Sequence, residues 1–229
     1  MKPFKNLAVL QKQLGYQFKE EAHLKQALTH KSATKRHNER LEFLGDAILS
    51  SIIAAWLFKK FPKATEGELT RARASLVKRP TLALVAVELG IGEHIYLGMG
   101  ERRSGGVQRD SILADALEAI IGAIYLDAGF LQCTQSVESW FQKRMEVLNP
   151  TAQEKDPKTR LQEWLQARQI SLPSYQVVTI EGESHQRTFT VNCQVEDLKL
   201  TAAATAASIR LAEQKAAQKI WELIIHDHS

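Results

Sequence analysis

The sequence predicts an all-α domain followed by a small α+β domain of α-β-β-β-α order, and three observations carry that expectation. Before Pro150, apolar residues recur at helical spacing and no strand-like alternation appears. From Asn149 to Pro157 the polar, proline-bracketed stretch NPTAQEKDP breaks this pattern and reads as a linker. After it, three alternating stretches stand between two helical ones, which suits an antiparallel sheet packed on two helices. The expected boundaries are 1–149 for the helical domain, 150–157 for the linker and 158–226 for the α+β domain.

At 229 residues and 44% hydrophobic, the chain can bury a real core, and its composition does not suggest disorder. The N-terminus lacks the sustained apolar region and cleavage site of an export signal. The apolar run after Asn38, interrupted by Ser50 and Ser51, reads as too short to span a bilayer, so no membrane partner is expected. Cys133 and Cys193 stand apart without CxxC spacing, as reduced, buried thiols of a cytoplasmic protein would. The formal charge of +4 hints at a polyanionic partner. Residues 1–150 hold 21 basic against 16 acidic side chains and the remainder 9 against 10, so any basic footprint belongs to the helical domain.

In order, Met1 to Phe18 reads as an amphipathic helix ending near Gly15, and Glu21 to Leu28 as a second helix. The polar segment THKSATKRHN follows, in which His30 and His37 suit surface or capping roles and Lys31, Lys35 and Arg36 add positive charge. Asn38 to Phe58 is a helix apolar on nearly every face, a pattern that predicts burial. Glu66 to Val77 opens with capping-box spacing between Thr65 and Glu68, and Pro80 to Leu89 makes the next helix. Arg71, Arg73, Lys78 and Arg79 form a basic stripe, readable as a solvated face or as a phosphate track. Ile91 to Met99 is a short helix or turn, and Gly100 to Asp110 is a Gly-rich basic loop without the GxxxxGK[ST] pattern of a nucleotide cradle. Helices over Asp110 to Gly129 and Leu131 to Leu148 close the domain. Beyond the linker come a helix from Lys158 to Arg168, strands within SYQVVTIEG, HQRTFTVNCQV and LKLTAAATA, a hairpin at Gly182, and a helix from Ser208 to Ile225.

Two acid pairs stand out. Glu42 and Asp46, four residues apart, lie on one face of the central helix, and Asp115 and Glu118, three apart, share a face of the helix that starts at Asp110. Carboxylates on apolar helices are costly without compensation, and no base follows Arg40 in the central helix until Lys59. An arginine from elsewhere could answer any one of them. For both pairs together, an all-oxygen, highly charged set favours a hard cation, Mg²⁺ or Mn²⁺.

These residues also carry a resemblance. NERLEFLGDAIL, from Asn38 to Leu49, resembles the signature of the ribonuclease III family, and LTHKS, EGELTRARASLV and DSILADALEAIIGAIYLD match further blocks in the family's order. DPKTRLQEWLQ and GESHQRTFTVNCQV resemble a double-stranded RNA-binding domain. The resemblance implies a ribonuclease III endonuclease fold, a homodimer, and an endoribonuclease that hydrolyses double-stranded RNA to 5′-phosphate and 3′-hydroxyl ends with short 3′ overhangs. It implies Mg²⁺, with Mn²⁺ as a substitute, held by Glu42, Asp46, Asp115 and Glu118, with Asp46 and Glu118 as catalytic residues. Glu39 and Glu66 match acids of secondary role, and Phe43 and Gly45 match a dimer contact that core packing would also explain. Gln162, Glu163, His185 and Arg210 fall at the RNA contacts of the binding domain. Ala204, Ala206, Ile209 and Leu211 stand where the family usually has glycines and basic residues, which points to weaker binding by that domain. A role in rRNA and mRNA processing is implied. A catalytically inactive RNA-binding or scaffold protein would keep this fold but lose acids of the tetrad, and all four are present here. His226-Asp227-His228 resembles a metal-hydrolase dyad only superficially, at a chain end.

Overall fold

A computed structural model describes residues 6–150, 156–183 and 186–227. The chain divides into two compact units, Met1–Gln153 and Glu154–Ser229. In the first, α1 (Leu7–Leu14) begins where the Asn6 side chain accepts from the Ala8 N–H at 3.1 Å, and it stops at Gly15, whose φ of 67° ends a helix without side-chain strain. Next come α2 (Glu21–Ala27), α3 (Glu39–Lys60) and α4 (Glu66–Val77). The expected capping box is formed, with the Thr65 and Glu68 side chains and backbones bonded reciprocally. Lys78 alone is extended before α5 (Arg79–Glu88), which carries Pro80 in its first turn. Within the expected loop the chain forms a short helix, α6 (Met99–Arg103), and a 3₁₀ turn at Gly106–Gln108.

The last helix of this unit, α7 (Asp110–Val147), is interrupted at Gly129, where φ is 80°, so the two expected helices meet there at a break. Just before the break, Asp127 accepts from the Tyr16 hydroxyl at 2.5 Å and from the Lys19 and Glu20 N–H groups at 2.8 and 2.9 Å. These bonds tie the turn ahead of α2 to α7.

α3 and α7 form the middle of the unit. Leu49, Ile53 and Leu57 of α3 and Leu117, Ile120 and Ile124 of α7 are almost fully buried in one cluster. At 22 residues and mean hydropathy 1.7, α3 is long and apolar enough to cross a bilayer, contrary to the shorter, interrupted run expected. Here it serves as a core helix. Nor is it buried all round, as its composition suggested: Phe43 and Phe58 are 81% and 71% exposed.

The two helices touch through backbone. A Cβ built on Gly45 would lie 1.7 Å from the Glu118 carbonyl oxygen, and one on Gly122 would lie 2.3 Å from that of Leu41. Gly45, which matches a dimer contact or core packing in the sequence, is buried against α7 of its own chain, where only glycine allows such an approach.

In the second unit, α8 (Pro157–Gln166) is capped by Asp156, which accepts from the Lys158 and Thr159 N–H groups. Strands β1 (Ser174–Glu181), β2 (Thr188–Val195) and β3 (Leu200–Ala206) form one antiparallel sheet in that order, and α9 (Ile209–Asp227) completes the α-β-β-β-α fold. Alternate residues of β2 and β3 (Cys193, Val195, Ala204) pack against Leu161 and Leu165 of α8 and Ala216, Ala217 and Ile220 of α9. Lys158 joins the layers: its Nζ lies 2.7 Å from Glu213 and 4.1 Å from the Tyr175 ring centre.

Replacing Gly45 by alanine is expected to destabilise the helical unit by roughly 3 kcal/mol or more, the upper end of overpacking costs, because the obstructing atom is backbone. Urea unfolding of the full chain checks this. A loss below about 1 kcal/mol would mean that the helices can separate freely there.

Candidate active site

The α3–α7 crossing brings both acid pairs to one place. Glu42 from α3 and Asp115 and Glu118 from α7 each present a carboxylate oxygen, and these oxygens lie within 4.8 Å of one another. Asp46, one turn beyond Glu42, is exposed and stands outside that group of three, but it lines the same pocket of about 400 Å³. Among the described residues, none of the four carboxylates has an ion-pair or side-chain hydrogen-bond partner.

Crowding of like charge shows in the acidities. Burial, then the charges of Asp46, Glu42 and Asp115, push the Glu118 carboxyl up to about 8. Glu42 is raised by burial and by Asp115 and Glu39. Burial raises Asp115 too, against the opposing pull of Arg79, His30 and Lys31. Three carboxylates this close cannot all ionise cheaply without a cation between them. An all-oxygen donor set with no competing partner fits a hard divalent ion. This acidic group is able to hold a metal ion.

The remaining expected residues are placed as follows. Glu39 does not line the pocket: its carboxylate is paired with Lys31 at 2.9 Å and near His37 at 3.8 Å, and the bond from Lys31 holds its pKa below the ordinary carboxylate range. Glu66, at the start of α4, accepts from the Thr70 hydroxyl at 2.8 Å and does not line the acid pocket. Phe43 lines the pocket and projects to solvent. In the second unit, Gln162 and Arg210 share a surface depression with Lys158 and Thr159, and Glu163 is exposed on α8. His185 lies outside the described residues, as do the side chains of His226, Asp227 and His228. One charged pocket residue was not assigned there from the sequence. Arg79, read only as part of a basic stripe, lines the acid pocket from the start of α5, and the signal for it is the single-residue break at Lys78 before Arg79-Pro80.

Comparison with known proteins agrees with this site. The family described as Ribonuclease-III-like matches residues 20–145, and the double-stranded RNA binding motif matches residues 157–224. The chain is 54% identical over 224 residues to Ribonuclease 3 of Shewanella denitrificans, covering 98% of this chain and 99% of that one. It is 54% identical over 219 residues to Ribonuclease 3 of Pasteurella multocida, covering 96% and 97% of the two chains. Among solved structures, the nuclease domain of ribonuclease III from Campylobacter jejuni superposes with a TM-score of 0.61 at 44% identity, covering 62% of this chain and all of that one. That structure is described as showing flexibility in a region involved in dimer formation. The chain therefore belongs to the ribonuclease III family: it is an endoribonuclease with a double-stranded RNA-binding domain.

The raised Glu118 has a consequence for stability. Without metal, the folded chain keeps this proton to about pH 8, whereas the unfolded chain releases it near 4.5. Between those values the native state binds more protons, so its contribution to stability is lost as pH rises through the window. In EDTA, the melting temperature is expected to fall from about pH 5 to about pH 8 more steeply for the native chain than for Glu118→Gln. Mg²⁺ should raise it more at the alkaline end, where no proton has to be displaced. Scanning calorimetry checks this, and identical slopes for the two proteins would contradict it.

Proposed function

We propose that the chain is a Mg²⁺-dependent endoribonuclease that hydrolyses the phosphodiester bonds of double-stranded RNA to 5′-phosphate and 3′-hydroxyl ends, with Mn²⁺ as an alternative ion. The observation that carries the metal dependence is the partnerless cluster of Glu42, Asp115 and Glu118 with Asp46 beside it. These four acids would hold the ion, which when bound supplies an activated water and neutralises charge on the phosphoryl group. Glu118, whose carboxyl is pushed up to about 8, would have to release its proton for an ion to bind, and Asp46, exposed on the same pocket, would orient water. Neither role needs a serine, cysteine or histidine nucleophile.

The chain works as a homodimer in this reading, each helical domain contributing one centre and each centre cutting one strand to leave short 3′ overhangs. In this reading Phe43, 81% exposed at the pocket edge, packs into that interface. Residues 1–149 serve catalysis and dimerisation, 150–157 link the domains, and 158–226 bind duplex RNA through Gln162, Glu163, His185 and Arg210. Glu39 and Glu66 have secondary roles at the margins. Cytoplasmic processing of rRNA and mRNA is the setting this activity suits.

Cleavage of a long perfect RNA duplex in Mg²⁺, with Ca²⁺ as the control, tests the reading. The native chain should cut to short duplexes, and Glu118→Gln should lose at least about 10²-fold in rate while still binding RNA. A native chain that binds duplex and never cuts it would make this a binding or scaffold protein. In the same assay format, Arg210→Gln should weaken binding across sequences alike and lower the slope of log K against log salt by about 1. An unchanged slope would remove Arg210 from the RNA contacts.

A further inference from the structure

We infer that Arg79 is a substrate-contacting residue: its guanidinium holds a non-bridging oxygen of an RNA backbone phosphate as the duplex lies over the acid pocket. The inference rests on the reading of this site as the place of RNA cleavage. Among the described residues lining the pocket, Arg79 is the base, and it shares the pocket with Glu42, Asp46, Asp115 and Glu118. It lines the pocket near enough to counter the upward pKa shifts of Glu42, Asp115 and Glu118, yet it forms no ion pair with any of them. Lys31, which also acts on the cluster, is already taken by Glu39 at 2.9 Å. Arg79 thus stands at the pocket with its donors uncommitted among the described residues.

Its position is fixed by the backbone. Lys78 is the one extended residue between α4 and α5, with φ −66° and ψ 146°, and Pro80 restricts the residue before it. The Thr81 hydroxyl donates to the Ser75 carbonyl at 2.8 Å, closing the corner. A phosphodiester entering a pocket of carboxylates meets repulsion that grows as water is excluded. A metal ion on the acids would answer this from one wall. From another wall, a guanidinium offers a planar pair of donors that matches two phosphate oxygens, a fit that an ammonium lacks.

The test uses the full chain in Ca²⁺, so that duplex is bound and not cut, with RNA carrying one uncharged methylphosphonate moved stepwise across the cleavage site. On all-phosphate duplex, Arg79→Gln should weaken binding about tenfold, the loss of one charged hydrogen bond. At one methylphosphonate position the native chain should weaken equally and the difference between the two proteins vanish. Arg79→Lys should recover part of the affinity and show its residual loss at the same position. In Mg²⁺, single-turnover cleavage by Arg79→Gln should also slow at saturating enzyme, which a weaker general attraction would not cause. Unchanged binding by Arg79→Gln, or a loss equal at every position, overturns the inference. A native chain that fails to bind duplex overturns the functional reading and this inference with it. Thermal unfolding confirms that the variants are folded. If the glutamine variant is not, the lysine variant is judged by the same positional criterion.

Discussion

The backbone contact between α3 and α7 is the constraint on which the site depends. Gly45 and Gly122 let the two helices approach until each backbone lies against the other, and the atom that Gly45 meets is the carbonyl of Glu118 itself. Glu42 and Asp46 flank Gly45 in sequence, and Asp115 and Glu118 precede Gly122 on α7. Closing the helices therefore also closes the distance between carboxylates. With a side chain at either glycine, the pairs would stand apart and each could be solvated alone. The packing is held by an apolar cluster deep in the unit, so burial of Leu49, Ile53, Leu117 and Ile120 maintains charges in a repulsive arrangement.

That arrangement explains why the site is a place for binding rather than a stabilising feature. Glu118, pressed by burial and by Asp46, Glu42 and Asp115, stays protonated to about pH 8 in the absence of a cation. The fold thus holds a proton that a hard cation would have to displace, so metal binding there would be coupled to proton release. Lys31 and Arg79 moderate the repulsion from opposite relationships: one is consumed by Glu39, while the other is left with no ion-pair partner among the described residues.

The α+β unit follows a different logic. Its sheet is thin and its core small, so it relies on alanines that let α9 lie close. Ala204 and Ala206 are 6% and 7% exposed, which turns positions with an unusual look for RNA binding into core positions. Ile209 and Leu211, at the start of α9, remain 41% and 42% exposed and offer no charge to a phosphate. Lys158, bound to Glu213 and stacked over Tyr175, spends its charge on joining α8, α9 and the sheet.

Much of this was legible in the sequence because it depends on local periodicity. The helices, the Thr65 capping box, the stop at Gly15, the change of pattern after Pro150 and the pairing of acids at one helical turn follow from residues close in the chain. Other features depend on which surfaces meet, and local pattern does not encode that. Apolar residues all around α3 could not reveal that Phe43 faces water while Leu49 is buried. The contact of Gly45 with the Glu118 carbonyl left no local trace, because the two are 73 positions apart in sequence. Asp46 looked equivalent to its three companions, but a turn of helix leaves it exposed and outside their close group. Arg79 looked like one base in a stripe until the corner between α4 and α5 brought it to the acids. Sequence by itself determined which side chains share a helix face, since the helical repeat is a property of the backbone. Only the tertiary structure decided which faces meet, because that follows from close packing summed over the whole core.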